Sequence, residues 1–235
     1  MSNLDILNDP LHNKELAFTE AERDRLGLHG LLPYTTLTIE EQVLQKYKSF
    51  KLQASAIAKY VFLSSIQNQN ETLFYRLVSE HITEMLPLIY TPNIGDVALQ
   101  YSLLYTHCRG LYLSYPLKDK IASIIQNFPQ KAADVIVITD GERILGLGDL
   151  GAGGMAIPIG KLAIYTLFAG IDPSRTLPIL LDVGTNNQTL LEDPFYVGWR
   201  NPRITGKEYD DFVDICVQAL KKISQRATPM GRFWQ

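Results

Sequence analysis

Cysteine is scarce: the 235-residue chain carries only Cys108 and Cys216, far apart and in no metal or redox spacing. That excludes a disulfide framework or a thiolate metal site, and both thiols are expected to be reduced core residues. An excess of one charge is also missing. The formal net charge is −3 with the two signs interspersed, so no basic stripe is offered to a nucleic acid or an anionic membrane. Low-complexity tracts, internal repeats and apolar spans of membrane length are not seen. The opening Met1-Ser-Asn-Leu-Asp-Ile-Leu-Asn-Asp-Pro10 has neither a basic region followed by an apolar run nor an arginine-rich transit pattern. A soluble, unexported, cytoplasmic protein is the expectation.

What is present is ordinary globular material, 46% hydrophobic and 20% charged. Two regions of different character meet near residue 130: a helical region, 1–130, and a partial α/β domain, 131–226. Thr38-Ile-Glu-Glu41 is a capping box that opens a helix to about Gln53, with Val43, Leu44, Tyr47 and Phe50 at helical spacing. Further helices are expected over Ala54 to Ile66 and Asn70 to Met85. The latter carries Leu73, Phe74, Leu77 and Val78 on one face and is followed by Pro87. Beyond residue 130 the order is strand (Val135 to Thr139), hairpin and glycine-rich loop, helix from Pro158, and strand (Leu177 to Val183). A last helix, opened by Thr205-Gly-Lys-Glu208, carries Tyr209, Phe212, Val213, Cys216, Val217, Leu220 and Ile223 on one face. Two parallel strands make a poor sheet, so its remainder is expected from elsewhere in a longer chain or from a partner.

The passage from Asp140 to Lys161 is glycine-rich and runs into Pro158, a residue suited to a first helical turn. Gly146-Leu-Gly148-Asp-Leu-Gly151 satisfies the dinucleotide pattern G-x-G-x-x-G, but its context does not. That fingerprint needs a strand ending at the first glycine, a helix opening at the last and an acidic residue about 20 residues on, whereas Asp182 comes later than that. Close backbone packing is the better reading of most of these glycines. Lys161 lies in an almost wholly apolar helix, expected to be buried on most of its circumference, where burial would turn an amine into a base usable near neutral pH. Snorkelling to water is the equal alternative. Tyr90, in Pro87-Leu-Ile-Tyr-Thr-Pro-Asn-Ile-Gly95, has a hydroxyl able to donate a proton, although tyrosines beside prolines are usually packing residues.

Several longer motifs carry a resemblance: Asn13-Lys-Glu-Leu-Ala-Phe-Thr19, Gly30-Leu-Leu-Pro33, Asn70-Glu-Thr-Leu-Phe-Tyr-Arg76, Tyr90-Thr-Pro92, Thr139-Asp-Gly-Glu-Arg-Ile-Leu-Gly-Leu-Gly-Asp149, Gly160-Lys161 and Asp182-Val-Gly-Thr-Asn-Asn187. From about Leu11 to Arg226 the chain resembles the N-terminal half of malic enzymes, which oxidatively decarboxylate malate to pyruvate. The resemblance implies an amino-acid-dehydrogenase-like α/β fold, NAD and Mg2+ or Mn2+ as cofactors, malate as substrate and a homo-oligomer. It implies Tyr90 as proton donor, Lys161 as general base and Arg143 as the partner of the malate carboxylate near the nicotinamide. A forked, always charged guanidinium suits that last role better than an ammonium. Malolactic enzyme is the nearest alternative, but the Gly141 to Asp149 run and Gly198-Trp-Arg-Asn-Pro-Arg203 look more like bacterial NAD-linked malic enzymes. Gln45 and Gln69 stand where animal relatives have basic positions for fumarate activation, so that regulation is not carried over.

The resemblance also sets a departure. Family members continue into a Phe-Glu-Asp-Phe segment with two metal ligands, a third aspartate and an NAD-binding domain. Here the chain instead ends in an atypical tail, 227–235, closing on Gly231-Arg-Phe-Trp-Gln235. A frameshift or premature stop is the expectation, with the metal segment encoded downstream in another frame, and no metal ligands are assigned. The isolated chain is expected to be silent, a remnant that binds dicarboxylates or oligomerises, unless the missing sites are supplied by further sequence.

Overall fold

The computed structural model describes residues 3–129 and 132–224. They form two compact units, the first ending at Asn93 and the second beginning at Ile94. The tail 227–235 lies outside the described residues.

The first unit is helical: α1 (Asn3–Leu7), α2 (Glu20–Leu26), α3 (Ile39–Lys51), α4 (Ala56–Gln69), α5 (Glu71–Glu80) and α6 (Ile82–Ile89). α3 starts where its capping box places it. Thr38 Oγ1 accepts the Glu41 N–H while the Glu41 carboxylate accepts the Thr38 N–H. Val43 and Phe50 of its apolar set are buried, whereas Leu44 is exposed. α5 buries Leu73, Phe74, Leu77 and Val78, the expected face. The helix expected from Asn70 to Met85 is broken at His81, whose φ of −123° and ψ of 35° leave the helical region. The His81 ring stacks on Tyr47 of α3 with centroids 3.6 Å apart, a contact that holds the break in place. Pro87 therefore lies inside α6 instead of following a helix end.

The second unit contains α7 (Ile94–Leu99), α8 (Tyr101–Leu104), β1 (Leu111–Ser114), α9 (Ile121–Asn127), β2 (Val135–Thr139), α10 (Ala156–Ala169), β3 (Thr176–Asp182), α11 (Gln188–Glu192) and α12 (Gly206–Ser224). Its sheet has three parallel strands in the order β1-β3-β2. Leu111 pairs with Ile179 and Leu113 with Leu181 on one side of β3, and Ile136 pairs with Leu177 on the other. The third strand thus comes from within the chain, out of a segment the sequence reading gave to the helical region.

Alternate residues of β1 and β3, namely Leu111, Leu113, Leu177, Ile179 and Leu181, form one core with Ile121 and Ile125 of α9 and with Phe212, Cys216 and Leu220 of α12. α10 packs on β2 and β3 outside that core and so covers the opposite face. Burial of β3 on both faces is what a central parallel strand requires. Two expectations fail here. Cys108 is exposed, and only Cys216 is a core thiol. The apolar helix expected to be buried on most of its circumference is buried at Ala156, Pro158, Gly160, Leu162 and Ala163, but exposes Phe168 at 64%. Contrary to the sequence reading, Gly151–Ala169 is long and apolar enough to cross a membrane by length and composition; half of it is buried inside the protein, as a core helix would be.

Candidate functional site

Each candidate side chain is placed by local structure. Tyr90 follows α6 and ends it, its N–H donating to Leu86 O at 3.1 Å. Buried Asn93 then ties the turn back, its side chain donating to Leu88 O and its backbone N–H to Pro87 O. The Thr91–Pro92 bond between them is cis. Tyr90 itself is half-buried and, among the described residues, has no side-chain hydrogen-bond partner.

Arg143 and Lys161 belong to the second unit. β2 ends at Thr139, and the chain turns through Gly141 at φ +71°, with Gly141 N–H donating to Thr139 Oγ1 and Glu142 N–H to Asp140 Oδ1. The expected hairpin does not form. Ile144 and Gly148 make one isolated antiparallel bridge around a short 3-10 helix, Leu145–Leu147, because Leu145 and Leu147 are exposed and so give a returning strand no buried face. Arg143 is exposed on this loop and has no carboxylate partner among the described residues.

The loop closes where Leu150 N–H donates to Gly141 O at 2.9 Å. A buried 3-10 helix, Gly151–Met155, leads directly into α10 and Lys161. Glycine is required here by close approach: a Cβ on Gly153 would lie 2.2 Å from Ala98 O, and one on Gly154 2.6 Å from Gly141 Cα. Lys161 is half-buried, with no hydrogen-bond or ion-pair partner among the described residues.

Behind the loop lies a polar cluster to which the sequence reading gave no role. Arg203, with a side chain only 2% exposed, holds Asp149 with two parallel bonds, Nε to Oδ2 at 2.8 Å and Nη2 to Oδ1 at 2.7 Å. Its Nη2 also donates to Asp140 O, and Tyr209 of α12 donates its hydroxyl to Asp140 Oδ2. Buried Nη1 makes no hydrogen bond among the described residues, with Asp140 Oδ2 3.9 Å away. Asp149 further accepts the N–H groups of Gly151 and Asn186, and Asn186 Oδ1 accepts the Arg203 N–H. Burial alone would raise the Asp149 carboxyl, but the guanidinium and the backbone donors outweigh it and hold it below its ordinary value. Burial, reinforced by the neighbouring Asp140 carboxylate, pushes the Tyr209 hydroxyl up to about 12, so it stays a donor. The Asp182 carboxyl is raised by burial despite accepting the Trp199 N–H. A residue pair 54 positions apart leaves no spacing signal, and the only hint was that Asp149 and Arg203 both sit in the motifs quoted above.

The described residues do not by themselves fit the implied cofactors. None of their His, Cys, Asp and Glu side chains group in threes as a cation site, and Asp140 and Asp149 are taken up by Arg203 and Tyr209. Gly146 lies inside one 3-10 helix and Gly151 opens another, so the G-x-G-x-x-G run is no strand-to-helix dinucleotide turn.

Comparison with known proteins gives a consistent answer. Residues 67–230 match the family model described as malic enzyme, N-terminal domain. The chain is 55% identical over 217 residues to NAD-dependent malic enzyme 2 of Vibrio vulnificus (strain YJ016), covering 92% of this chain and 39% of that protein. It is equally similar, 55% over 217 residues, to the NAD-dependent malic enzyme of Aeromonas salmonicida (strain A449), covering 38% of it. It is 54% identical to that of Psychrobacter arcticus (strain DSM 17307 / VKM B-2377 / 273-4), over 92% of this chain and 39% of the relative. The chain thus spans about two fifths of the length of these relatives.

Proposed function

This chain belongs to the malic enzyme family, and on that premise we propose that it forms the malate-holding portion of an NAD-dependent enzyme that oxidatively decarboxylates malate to pyruvate and carbon dioxide. Arg143 grips a malate carboxylate with its forked donors. Lys161 Nζ takes the proton of the C2 hydroxyl. Tyr90 keeps the role that the family motif alone implies, donor of the proton that C3 of the enol gains. The hydride that leaves C2 would pass to NAD; NAD and Mg2+ or Mn2+ belong to the proposed whole enzyme, since the described residues make no site for either. Association with further copies of the chain is part of the same reading.

The observation that carries the proposal is the contrast between cations. Arg203 is held by Asp149 through Nε and Nη2, whereas Arg143 and Lys161 have no anionic partner among the described residues of a chain this similar to the named enzymes. Calorimetric titration of the 235-residue chain with malate tests it. Binding is expected, weaker by about tenfold to a hundredfold in Arg143→Ala, the loss of one charge-assisted pair worth about 1.5–3 kcal/mol. Tyr90→Phe should bind as well as the wild type, since its work is a proton transfer. Malate that gives no binding heat, or an Arg143→Ala chain of unchanged affinity, would sink the reading. Malate-dependent NADH formation with manganese and NAD then separates an active protein from a portion that only binds.

A further inference from the structure

The loop that bears Arg143 is tied at both feet to one buried side chain. Its first foot is Asp140, whose carbonyl accepts Arg203 Nη2 at 3.0 Å and whose carboxylate accepts the Tyr209 hydroxyl at 2.9 Å. Its second foot is Asp149, gripped by Nε and Nη2 of the same guanidinium. Leu150 N–H to Gly141 O closes the gap between the feet, where a side chain on Gly141 would meet Gly151 O at 2.2 Å. The second foot runs on through a buried 3-10 helix into α10, the helix of Lys161. One residue thus fixes where the loop leaves β2 and where it enters α10.

We propose that Arg203 is a positioning residue for substrate: by clamping Asp140 and Asp149 it holds the Arg143 loop in register with α10, so that Arg143 meets a malate carboxylate in a fixed place relative to Lys161. The proposal rests on the reading of Arg143 as the carboxylate partner. Its physical basis is that a planar guanidinium can bond two oxygens of one carboxylate and a third acceptor at once, which a lysine ammonium at the same place cannot do with fixed geometry. With the clamp gone the loop keeps Arg143 but loses its aim, and a displacement of about 1 Å is enough to cost up to about a hundredfold.

The test uses the chain with Arg203→Lys, Asp149→Asn and Arg143→Ala, and Arg143→Ala combined with each of the first two. Malate affinity is measured well below each melting temperature, together with amide hydrogen exchange of residues 141–149. Arg203→Lys is expected to bind malate about tenfold to a hundredfold more weakly. It should also exchange faster in that loop, with β3 and α12 unchanged, and have no further effect on affinity once Arg143 is alanine. A merely structural Arg203 would lower the melting temperature and leave the affinity of the folded chain intact, which would overturn the clamp. Should Arg203→Lys not fold, Asp149→Asn breaks the charge-assisted grip of Arg203 on the second foot, and unchanged affinity and loop exchange there overturn the proposal equally. An Arg143→Ala chain that binds like the wild type overturns the reading of Arg143 itself. Loss of binding in Arg143→Ala with retention in both clamp variants overturns the clamp alone.

Discussion

Arg203 and Asp149 are a charge pair taken out of water, so their worth lies in what happens when one partner is removed. Leaving the other uncompensated costs about 3–5 kcal/mol in a buried setting, far more than a surface pair contributes. Asp149→Asn should therefore lower the melting temperature sharply at neutral pH. The pH dependence has a defined sign. Because the folded carboxyl titrates below its ordinary 3.8, the pair's contribution is fully present above that value and is lost as pH falls through the lower folded one. Thermal unfolding of wild type and Asp149→Asn should differ most near neutrality and converge in acid, and a gap that stays constant to low pH would contradict the assignment. The two thiols offer a simpler check. Cys108 is exposed, while burial pushes the Cys216 thiol up to about 12. A thiol reagent should thus modify Cys108 alone in the folded chain and both residues after unfolding. Rapid native modification of Cys216 would mean that the α12 core opens easily.

At the scale of elements, the glycine-rich loop is a packing device before it is anything else. Gly141 needs both its left-handed backbone and the bare space against Gly151, whereas Gly146 has ordinary φ and open surroundings. Gly141→Ala is expected to cost several kcal/mol or to rearrange the loop, combining a positive-φ penalty of about 1–2 kcal/mol with a backbone clash. Gly146→Ala should change stability by less than about 1 kcal/mol. Chemical denaturation of the two variants measures the difference, and equal effects would refute the close approach. The same loop marks how far sequence reasoning reaches. β2 and the start of α3 were legible because a β-branched run and a reciprocal capping box are local signals. β1 was not, since Leu-Tyr-Leu-Ser is too short to show a period and becomes a strand only by pairing with β3. The break at His81 was hidden because apolar spacing continues across it, from Leu77 and Val78 to Met85 and Ile89. Tyr90, Arg143 and Lys161 stood out through residue type and family motif. The Arg203 cluster did not, because its partners come from three separate segments that only the folded unit assembles.

For the molecule as a whole, a net charge of −3 opposes a dicarboxylate, so any attraction must be local, to cations without an anionic partner. Arg143, exposed, and Lys161, half-buried, are such cations among the described residues. Binding to the folded chain stabilises it by mass action, about 2.7 kcal/mol at a hundredfold excess over the dissociation constant. Malate should therefore raise the melting temperature, and succinate, which keeps both carboxylates but lacks the C2 hydroxyl, should raise it less. In Lys161→Met the two ligands should become equivalent, because the residue proposed to meet the hydroxyl is gone. In Arg143→Ala neither should shift the transition much. Raising the ionic strength should shrink both wild-type shifts, since the attraction of an exposed cation for a dicarboxylate weakens as the Debye length, about 8 Å at physiological salt, shortens. Thermal scans over these ligands and variants read every term at once. Equal malate and succinate shifts in the wild type would remove Lys161 from the hydroxyl, and a malate shift that survives Arg143→Ala would move the dicarboxylate to another part of the chain.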